Sequence, residues 1–133
     1  EENRIVIELD VQPGLVPILG DVDRLQQVVM NVLLNALQAM ENGGALTVRL
    51  ANATDRQGIE LRISDTGVGV SPELLSQVFY PYFTTKPSGT GIGLAISQKI
   101  VADHGGTIDM ESEPGKGTTV IIHLPAQQGQ LME

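Results

Sequence analysis

One long amphipathic helix constrains the fold of this chain more than any other feature. Between residues 21 and 40 the apolar residues recur at steps of three and four, which is the spacing of one helical face. Either Asp21 or Asp23 is placed to cap the start of this helix, and Asn42-Gly43-Gly44 ends it. The apolar stripe consists of Leu25, Val28, Val29, Val32, Leu33, Ala36, Leu37 and Met40. Because a helix with one apolar face has to bury that face, we expect it to pack against a sheet.

Runs rich in β-branched residues lie on both sides of this helix in the sequence. The predicted strands are 4–9, 45–53, 59–64, 107–111 and 118–124. A short helix is expected after Ser71-Pro72, with Ser71 as its N-cap, and a longer one from about Gly93 to His104. The order of these elements predicts an α+β fold. We expect a two-layer α/β sandwich in which about three helices cover one face of a mixed or largely antiparallel sheet.

Composition excludes several classes of function. The chain has 133 residues, which fits one domain, and we place the domain at 1–125 with a polar, disordered tail at 126–133. A net charge of −8 argues against nucleic acid as a partner, and the absence of cysteine excludes thiolate metal sites. No apolar run approaches the roughly 20 residues of a membrane span, and the start has no signal-peptide pattern. We expect an excised domain that is located in the cytoplasm.

Asp65 begins the segment Asp65-Thr-Gly67-Val-Gly69, which follows a predicted strand. In one interpretation, Asp65 forms an Asx turn with its own backbone. In the other, its carboxylate accepts a hydrogen bond from an exocyclic amine such as that of adenine. Gly67 and Gly69 would then be needed because a Cβ atom at either position would block the base.

Asn31 and Asn35 are four residues apart and therefore lie on the same face of the first helix. Two asparagines at the edge of an apolar stripe can simply face water. Alternatively, their amide oxygens are ligands for Mg²⁺, which takes a few such oxygens together with phosphate and water.

Gly89, Gly91 and Gly93 precede the last predicted helix, where free N–H groups and the helix dipole favour an anion. Without a ligand, the same glycines form only a flexible loop. Lys86 is placed to offer a positive charge to a terminal phosphate or to be solvated. His104, whose imidazolium the helix C-terminus would favour, and His123 are interpreted as structural residues.

Taken together, these segments resemble the ATP-binding catalytic domain of sensor histidine kinases, a member of the Bergerat-fold or GHKL superfamily. Asn31-Val-Leu-Leu-Asn35-Ala36 resembles the N box, and Asp65–Gly69 resembles the G1 box. Phe79–Lys86 is similar to the F box with the start of the ATP lid, and Gly89–Leu94 is similar to the G2 box. Gly115–Thr118 is similar to the late glycine–threonine segment, so the resemblance covers residues 4–125 and is greatest to the nitrogen-regulation-type subgroup.

The resemblance implies ATP and Mg²⁺ as cofactors, ADP as product, and a mobile lid over the nucleotide. It implies that Asp65 binds the adenine amino group with Thr118 acting through water, and that Asn35 with Asn31 holds Mg²⁺. It implies Asn31, Asn35 and Lys86 as catalytic residues, with Phe83 as an apolar hinge. The other residues that it implies in nucleotide binding are Gly67, Gly69, Thr84, Thr85, Gly89, Thr90, Gly91, Ile92, Gly93 and Leu94. Many relatives have a basic residue where this chain has Gln38, so Lys86 and Mg²⁺ would compensate more of the phosphate charge.

Asn31 bears on the reaction, because ATPases and serine kinases of this fold usually have a glutamate there as general base. An asparagine cannot take a proton, whereas a neutral histidine acceptor needs no base. We therefore expect phosphoryl transfer to a histidine on a separate helical dimerisation domain, with a response regulator downstream, as in bacterial two-component signalling. The fragment would be monomeric, and the parent a homodimer that a membrane segment can anchor. A Bergerat-fold ATPase and a non-catalytic nucleotide-binding module remain as alternatives.

Overall fold

The computed structural model describes residues 4–79 and 93–127. In these two ranges the chain forms five strands and three helices. The strands are β1 (Ile5–Val11), β2 (Gly44–Asn52), β3 (Ile59–Asp65), β4 (Thr107–Glu113) and β5 (Gly117–Leu124). The helices are α1 (Val22–Gln38), α2 (Pro72–Leu75) and α3 (Gly93–Asp103). All five predicted strands are confirmed, with ends that differ by up to two residues.

The five strands form one mixed sheet in the order β1-β2-β3-β5-β4. β1 runs parallel to β2, and the other three pairs are antiparallel. A parallel pair needs a crossover connection, and α1 supplies it. The helices lie on one face, so the predicted two-layer sandwich is confirmed. β5, the last strand in sequence, lies between β3 and β4 inside the sheet.

α1 begins where the sequence predicts. The Asp21 side chain accepts hydrogen bonds from the backbone N–H groups of Asp23 and Arg24, which satisfies two donors of the first turn. The apolar stripe is buried at Val28, Val32, Ala36 and Met40. Leu37 is the exception, because its side chain is exposed although its spacing places it in the stripe. Asn31 and Asn35 lie beside the stripe and are half-buried.

α3 packs against α1 through the buried residues Ser97, Ile100 and Val101. Its last residue is Asp103, and Gly105 follows with a φ of 78°, the left-handed conformation common just after helix C-termini. Ser71 occupies the N-cap position of α2, as predicted. Its side chain makes no capping hydrogen bond, so only the position is confirmed.

The core lies between the helices and strands β2, β3, β4 and β5. β1 stands largely outside this core, and Val6, Ile7 and Leu9 are each more than 60% exposed.

The proposed tail begins beyond β5, and the backbone N–H of Gln127 still donates to the Pro17 carbonyl at 2.8 Å. Residues 128–133 lie outside the described ranges, so the disordered tail remains a prediction.

Candidate nucleotide site

Asp65 is the last residue of β3 and lies at one end of the sheet on the face that carries the helices. Its side chain is buried, with 9% of its surface exposed. The carboxylate Oδ1 accepts a hydrogen bond from the backbone N–H of Gly67 at 2.8 Å, so the predicted Asx turn is present. A carboxylate offers about four lone-pair positions, and the turn therefore does not exhaust the acceptor capacity of Asp65. The structural and the functional interpretations of Asp65 are compatible.

Thr118 on β5 lies directly opposite Asp65 in the antiparallel ladder. On its other side, Thr118 lies opposite Ser112 of β4, and the two hydroxyl oxygens are 2.7 Å apart. Asp65, Thr118 and Ser112 therefore form one row across three neighbouring strands. The structure thus brings together Asp65 and Thr118, which the sequence analysis named, and Ser112, which it missed.

Gly67 and Gly69 are required by protein packing. A Cβ atom on Gly67 would collide with the backbone of Ala39, which caps the C-terminus of α1. A Cβ atom on Gly69 would collide with the carbonyl oxygen of Glu113, and the φ of Gly69 is 76°. The nearest obstacles are thus backbone atoms of the protein itself, which explain both glycines through packing. The need for room around a base stays a prediction. They allow the turn to pack between α1 and the β4–β5 hairpin.

Asn31 is coupled to α3. Its Nδ2 donates to the Oγ of Ser97 at 3.4 Å, and Ser97 is fully buried. An amide whose nitrogen is committed in this way has its oxygen on the opposite side. Asn35 lies one turn further along the same half-buried edge of α1. The two predicted magnesium ligands, Asn31 and Asn35, therefore lie on one face of α1.

The donor set fits Mg²⁺ in the presence of phosphates. In residues 4–79 and 93–127, no three His, Cys, Asp or Glu side chains are grouped to hold a metal ion. The ligands of an ion at Asn31 and Asn35 would consequently be amide oxygens, water and phosphate oxygens, which is the usual ligand set of Mg²⁺. The residues fit an ion that arrives with the nucleotide.

Several predicted site residues lie outside the described ranges. These are Phe83, Thr84, Thr85, Lys86, Gly89, Thr90, Gly91 and Ile92. Gly93 begins α3, and Leu94 in its first turn is half-buried. The roles assigned to the lid and to the G2 glycines therefore stay predictions.

The two histidines have structural partners. His104 Nδ1 is 2.8 Å from the Ile100 carbonyl oxygen, and its Nε2 accepts the backbone N–H of Asp21 at 3.0 Å. Because a backbone N–H can only donate and a carbonyl oxygen can only accept, Nε2 is the acceptor and Nδ1 the donor in these two bonds. His123 is buried, and its Nε2–H donates to the Gln57 carbonyl at 3.0 Å.

An ion pair also joins α1 to α3. Arg24 and Asp103 approach to 2.9 Å, and Lys99 lies 3.5 Å from the same carboxylate oxygen. The hydrogen bond from Arg24 lowers the pKa of Asp103 below its ordinary value, and Lys99 acts in the same direction. Both partners of this pair are partly open to solvent.

Comparison with known protein families identifies the family to which the chain belongs. Residues 20–128 match the family described as histidine kinase-, DNA gyrase B-, and HSP90-like ATPase. The chain belongs to this ATPase family. The match extends over α1, the Asp65 turn, α3 and the last two strands, which are the elements that form the candidate site.

Curated relatives of the chain include a sensor histidine kinase and a sporulation kinase. The chain is 44% identical to the sensor histidine kinase ZraS of Klebsiella oxytoca over 126 residues, which are 95% of this chain and 27% of that protein. It is 37% identical to sporulation kinase E of Bacillus subtilis over 95% of this chain and 17% of that protein. The chain thus spans about a quarter or less of the length of these relatives. The resemblance to sensor histidine kinases is confirmed.

Solved structures of histidine kinases share the fold. The mycobacterial sensor histidine kinase MprB superimposes with a TM-score of 0.81 at 35% identity, over 92% of this chain and 83% of that one. Full-length ShkA in complex with AMPPNP gives 0.81 at 30% identity, over 94% of this chain and 26% of that one. The Bergerat fold of an ATP-binding domain is therefore established. No helix in the described ranges is long and apolar enough to span a membrane.

Proposed function

We propose that residues 1–125 form a catalytic domain that binds Mg²⁺·ATP and transfers the γ-phosphoryl group to a histidine of a separate helical domain. The proposal rests chiefly on the position of Asp65. This buried carboxylate lies at the sheet end beside Thr118, on the fold of an ATPase family whose relatives here are sensor kinases. The phosphorylated histidine would then donate its phosphoryl group to a response regulator in two-component signalling.

At the purine end, Asp65 accepts a hydrogen bond from the adenine amino group, and Thr118 assists through water. Gly67 and Gly69 support this end by fixing the turn that carries Asp65 against α1 and β4. The protein atoms at this end are therefore pre-positioned, so little ordering has to accompany binding.

At the phosphate end, Asn35 with Asn31 holds Mg²⁺. When bound, the ion would bridge the phosphates and neutralise their charge, which an acidic domain of net charge −8 cannot do alone. In this proposal Lys86 supplies a positive charge for the terminal phosphate, and Gly89, Gly91 and Gly93 supply backbone N–H groups, the roles that the family resemblance implies for them. The remaining residues to which the proposal assigns nucleotide binding are Thr84, Thr85, Thr90, Ile92 and Leu94, with Phe83 as the hinge of the lid.

The acceptor follows from Asn31. An amide that donates to Ser97 cannot remove a proton from water or a serine hydroxyl. A neutral imidazole already presents a lone pair and needs no base, so transfer to histidine depends on positioning and charge neutralisation. The acceptor domain belongs to the same parent protein, a homodimer, while the fragment itself is monomeric. We place the domain in the cytoplasm, where ATP is available.

Two measurements test this function. Asp65→Asn replaces one carboxylate oxygen with an NH₂ donor, and the affinity for ATP measured by calorimetry should fall by about 10- to 100-fold, the size of a charged hydrogen bond. Asp109→Asn on the exposed side of β4 is the matched control and should bind normally. An Asp65→Asn variant of unchanged affinity would remove the basis of the proposal.

Incubation with γ-labelled ATP tests the reaction. No label should remain on the chain alone, and label should appear on an added helical acceptor domain in proportion to the catalytic chain. Steady phosphate release without an acceptor would indicate an ATPase instead. Binding of ATP without transfer to any acceptor would indicate a regulatory module.

A further inference from the structure

Ser112 is the best-connected hydroxyl group near the candidate purine end. Its Oγ accepts the backbone N–H of Val70 at 2.7 Å and donates to the carbonyl oxygen of Gly117 at 3.0 Å. The third neighbour is the Oγ1 of Thr118 at 2.7 Å. All three distances are those of well-formed hydrogen bonds.

The direction of the bond between Ser112 and Thr118 follows from the protons available. A serine hydroxyl has one proton and two lone pairs. The Val70 N–H can only donate, so it takes one lone pair of Ser112, and the Gly117 carbonyl can only accept, so it takes the single proton. One lone pair of Ser112 remains, and the Thr118 hydroxyl must therefore be the donor.

This direction determines what Thr118 can offer to a ligand. Once its proton is committed to Ser112, Thr118 Oγ1 has only lone pairs to present. Its neighbour across the ladder, Asp65, is a carboxylate and also presents only lone pairs. Both side chains of the row that face the purine end therefore accept hydrogen bonds and cannot donate one.

We propose that Ser112 is a positioning residue that holds the Thr118 hydroxyl as an acceptor and thereby selects 6-amino purines over 6-oxo purines. The inference rests on the proposed function, because it assigns base specificity at the same site. An amino group at C6 donates to these acceptors directly or through a water molecule. An oxo group there would place an oxygen opposite two other acceptors, and a site with unpaired acceptors rejects such a ligand.

The experiment compares ATP with inosine triphosphate, which has an oxo group at C6. Affinities of both Mg²⁺ complexes are measured by calorimetry for the full chain, and their ratio is the readout. In Ser112→Ala the Thr118 hydroxyl is released and can turn to donate to an oxo group. The preference for ATP should fall by about three- to tenfold, the effect of one hydrogen bond.

A double-mutant comparison separates this role from a structural one. Thr118→Val removes the hydroxyl with little change in shape and should also reduce the preference. In the Thr118→Val background, Ser112→Ala should cause no further change in the ratio, because Ser112 acts through Thr118. A merely structural role would weaken both nucleotides equally and leave the ratio unchanged.

The chain contains a matched control. Ser64 and Thr119 lie opposite each other on β3 and β5, on the other face of the sheet, with their hydroxyl oxygens 2.8 Å apart. Ser64→Ala removes a comparable bond and should keep the wild-type ratio. If Ser112→Ala does not fold, Ser112→Cys keeps the volume with a thiol that is a weak donor and acceptor, and the same reduced ratio is expected.

An unchanged ratio in a folded Ser112 variant would overturn the inference. It would also be overturned if Ser112→Ala reduced the ratio as much in the Thr118→Val background as in the wild type. Both results leave the proposed function intact as long as the wild-type chain binds ATP. Failure of the wild-type chain to bind ATP would contradict the proposed function itself.

Discussion

The Nε2 atom of His104 accepts a hydrogen bond from the backbone N–H of Asp21 at 3.0 Å. Asp21 is the N-cap of α1, and His104 directly follows α3, so this bond joins one end of each helix. The other ring nitrogen bonds to the Ile100 carbonyl within α3 itself. Asn31, a predicted magnesium ligand, lies on α1, and Gly93, a predicted phosphate-binding residue, begins α3. The bond from Asp21 to His104 therefore helps to fix against each other the two helices that carry these predicted site residues.

Replacement of His104 should lower the stability of the domain. His104→Phe keeps a ring of similar size and removes both hydrogen bonds, which should reduce the free energy of unfolding by about 1–3 kcal/mol. Urea denaturation followed by circular dichroism measures this free energy of unfolding. Gln98→Ala, an exposed change on the same helix, is the control. A His104→Phe variant as stable as the wild type would mean that these bonds contribute nothing to the helix pair.

Two glycines with the same backbone conformation should respond differently to alanine. Gly69 has a φ of 76° and Gly115 has a φ of 79°. A Cβ atom on Gly115 would meet nothing within 4 Å, whereas one on Gly69 would collide with the Glu113 carbonyl. Gly115→Ala should therefore cost about 1 kcal/mol from backbone strain alone, and Gly69→Ala should cost more than about 3 kcal/mol. Equal losses in thermal unfolding would show that the turn can move away from Glu113.

A general base at position 31 should change the reaction. Asn31→Glu places a carboxylate where ATPases of this fold usually have one, and the basal rate of phosphate release from ATP should rise by about tenfold or more. The Ser97 hydroxyl can reverse its bond and donate to the new carboxylate. Asn31→Gln has the same length without a base and serves as control. Hydrolysis by Asn31→Glu that stays at the level of Asn31→Gln would show that this residue does not select the acceptor.

Acid should remove the contribution of the Arg24–Asp103 pair. The pKa of Asp103 is lowered by the hydrogen bond from Arg24, so the pair stabilises the fold when the carboxylate is charged. That stabilisation is present above the ordinary pKa of aspartate and is lost as the pH falls through the lowered value. Asp103→Asn should therefore melt below the wild type at about pH 7, and the difference should shrink as the pH falls below the ordinary pKa of aspartate and through the lowered pKa of Asp103. A difference in melting temperature that does not depend on pH would contradict the ion pair as its cause.

The sequence was most informative where periodicity is strong. The apolar stripe predicted α1 and its buried residues, because a helical spacing sustained for five turns leaves few alternatives. The parallel pairing of β1 with β2 was not predicted, since strand partners depend on contacts between distant residues. The exposure of Leu37 was missed for a similar reason. The spacing of apolar residues identifies which face of a helix is buried. How many residues of that face are covered depends on the elements that pack against it in the tertiary structure.

The candidate site was predicted through its motifs and only partly through its physical causes. The positions of Asp65 and Thr118 followed from family resemblance, and the ladder brings them together. The packing reasons for Gly67 and Gly69 could not be predicted, because their obstacles belong to Ala39 and Glu113, which are distant in sequence. One signal for Ser112 was available. The alternation of β4 places it on the same face as the buried Ile108, where a lone polar residue needs partners.

The position of β5 inside the sheet has a consequence for synthesis. Strands are made in the order β1 to β5, yet β3 finds its second neighbour and Asp65 finds Thr118 only when the final strand has left the ribosome. A nascent chain that ends before residue 117 has the Asp65 turn and both long helices but an unpaired edge along β3. The Asp65–Thr118 pair of the proposed purine end therefore forms only after β5 has been made, and until then a chaperone or another nascent chain has access to the open edge of β3.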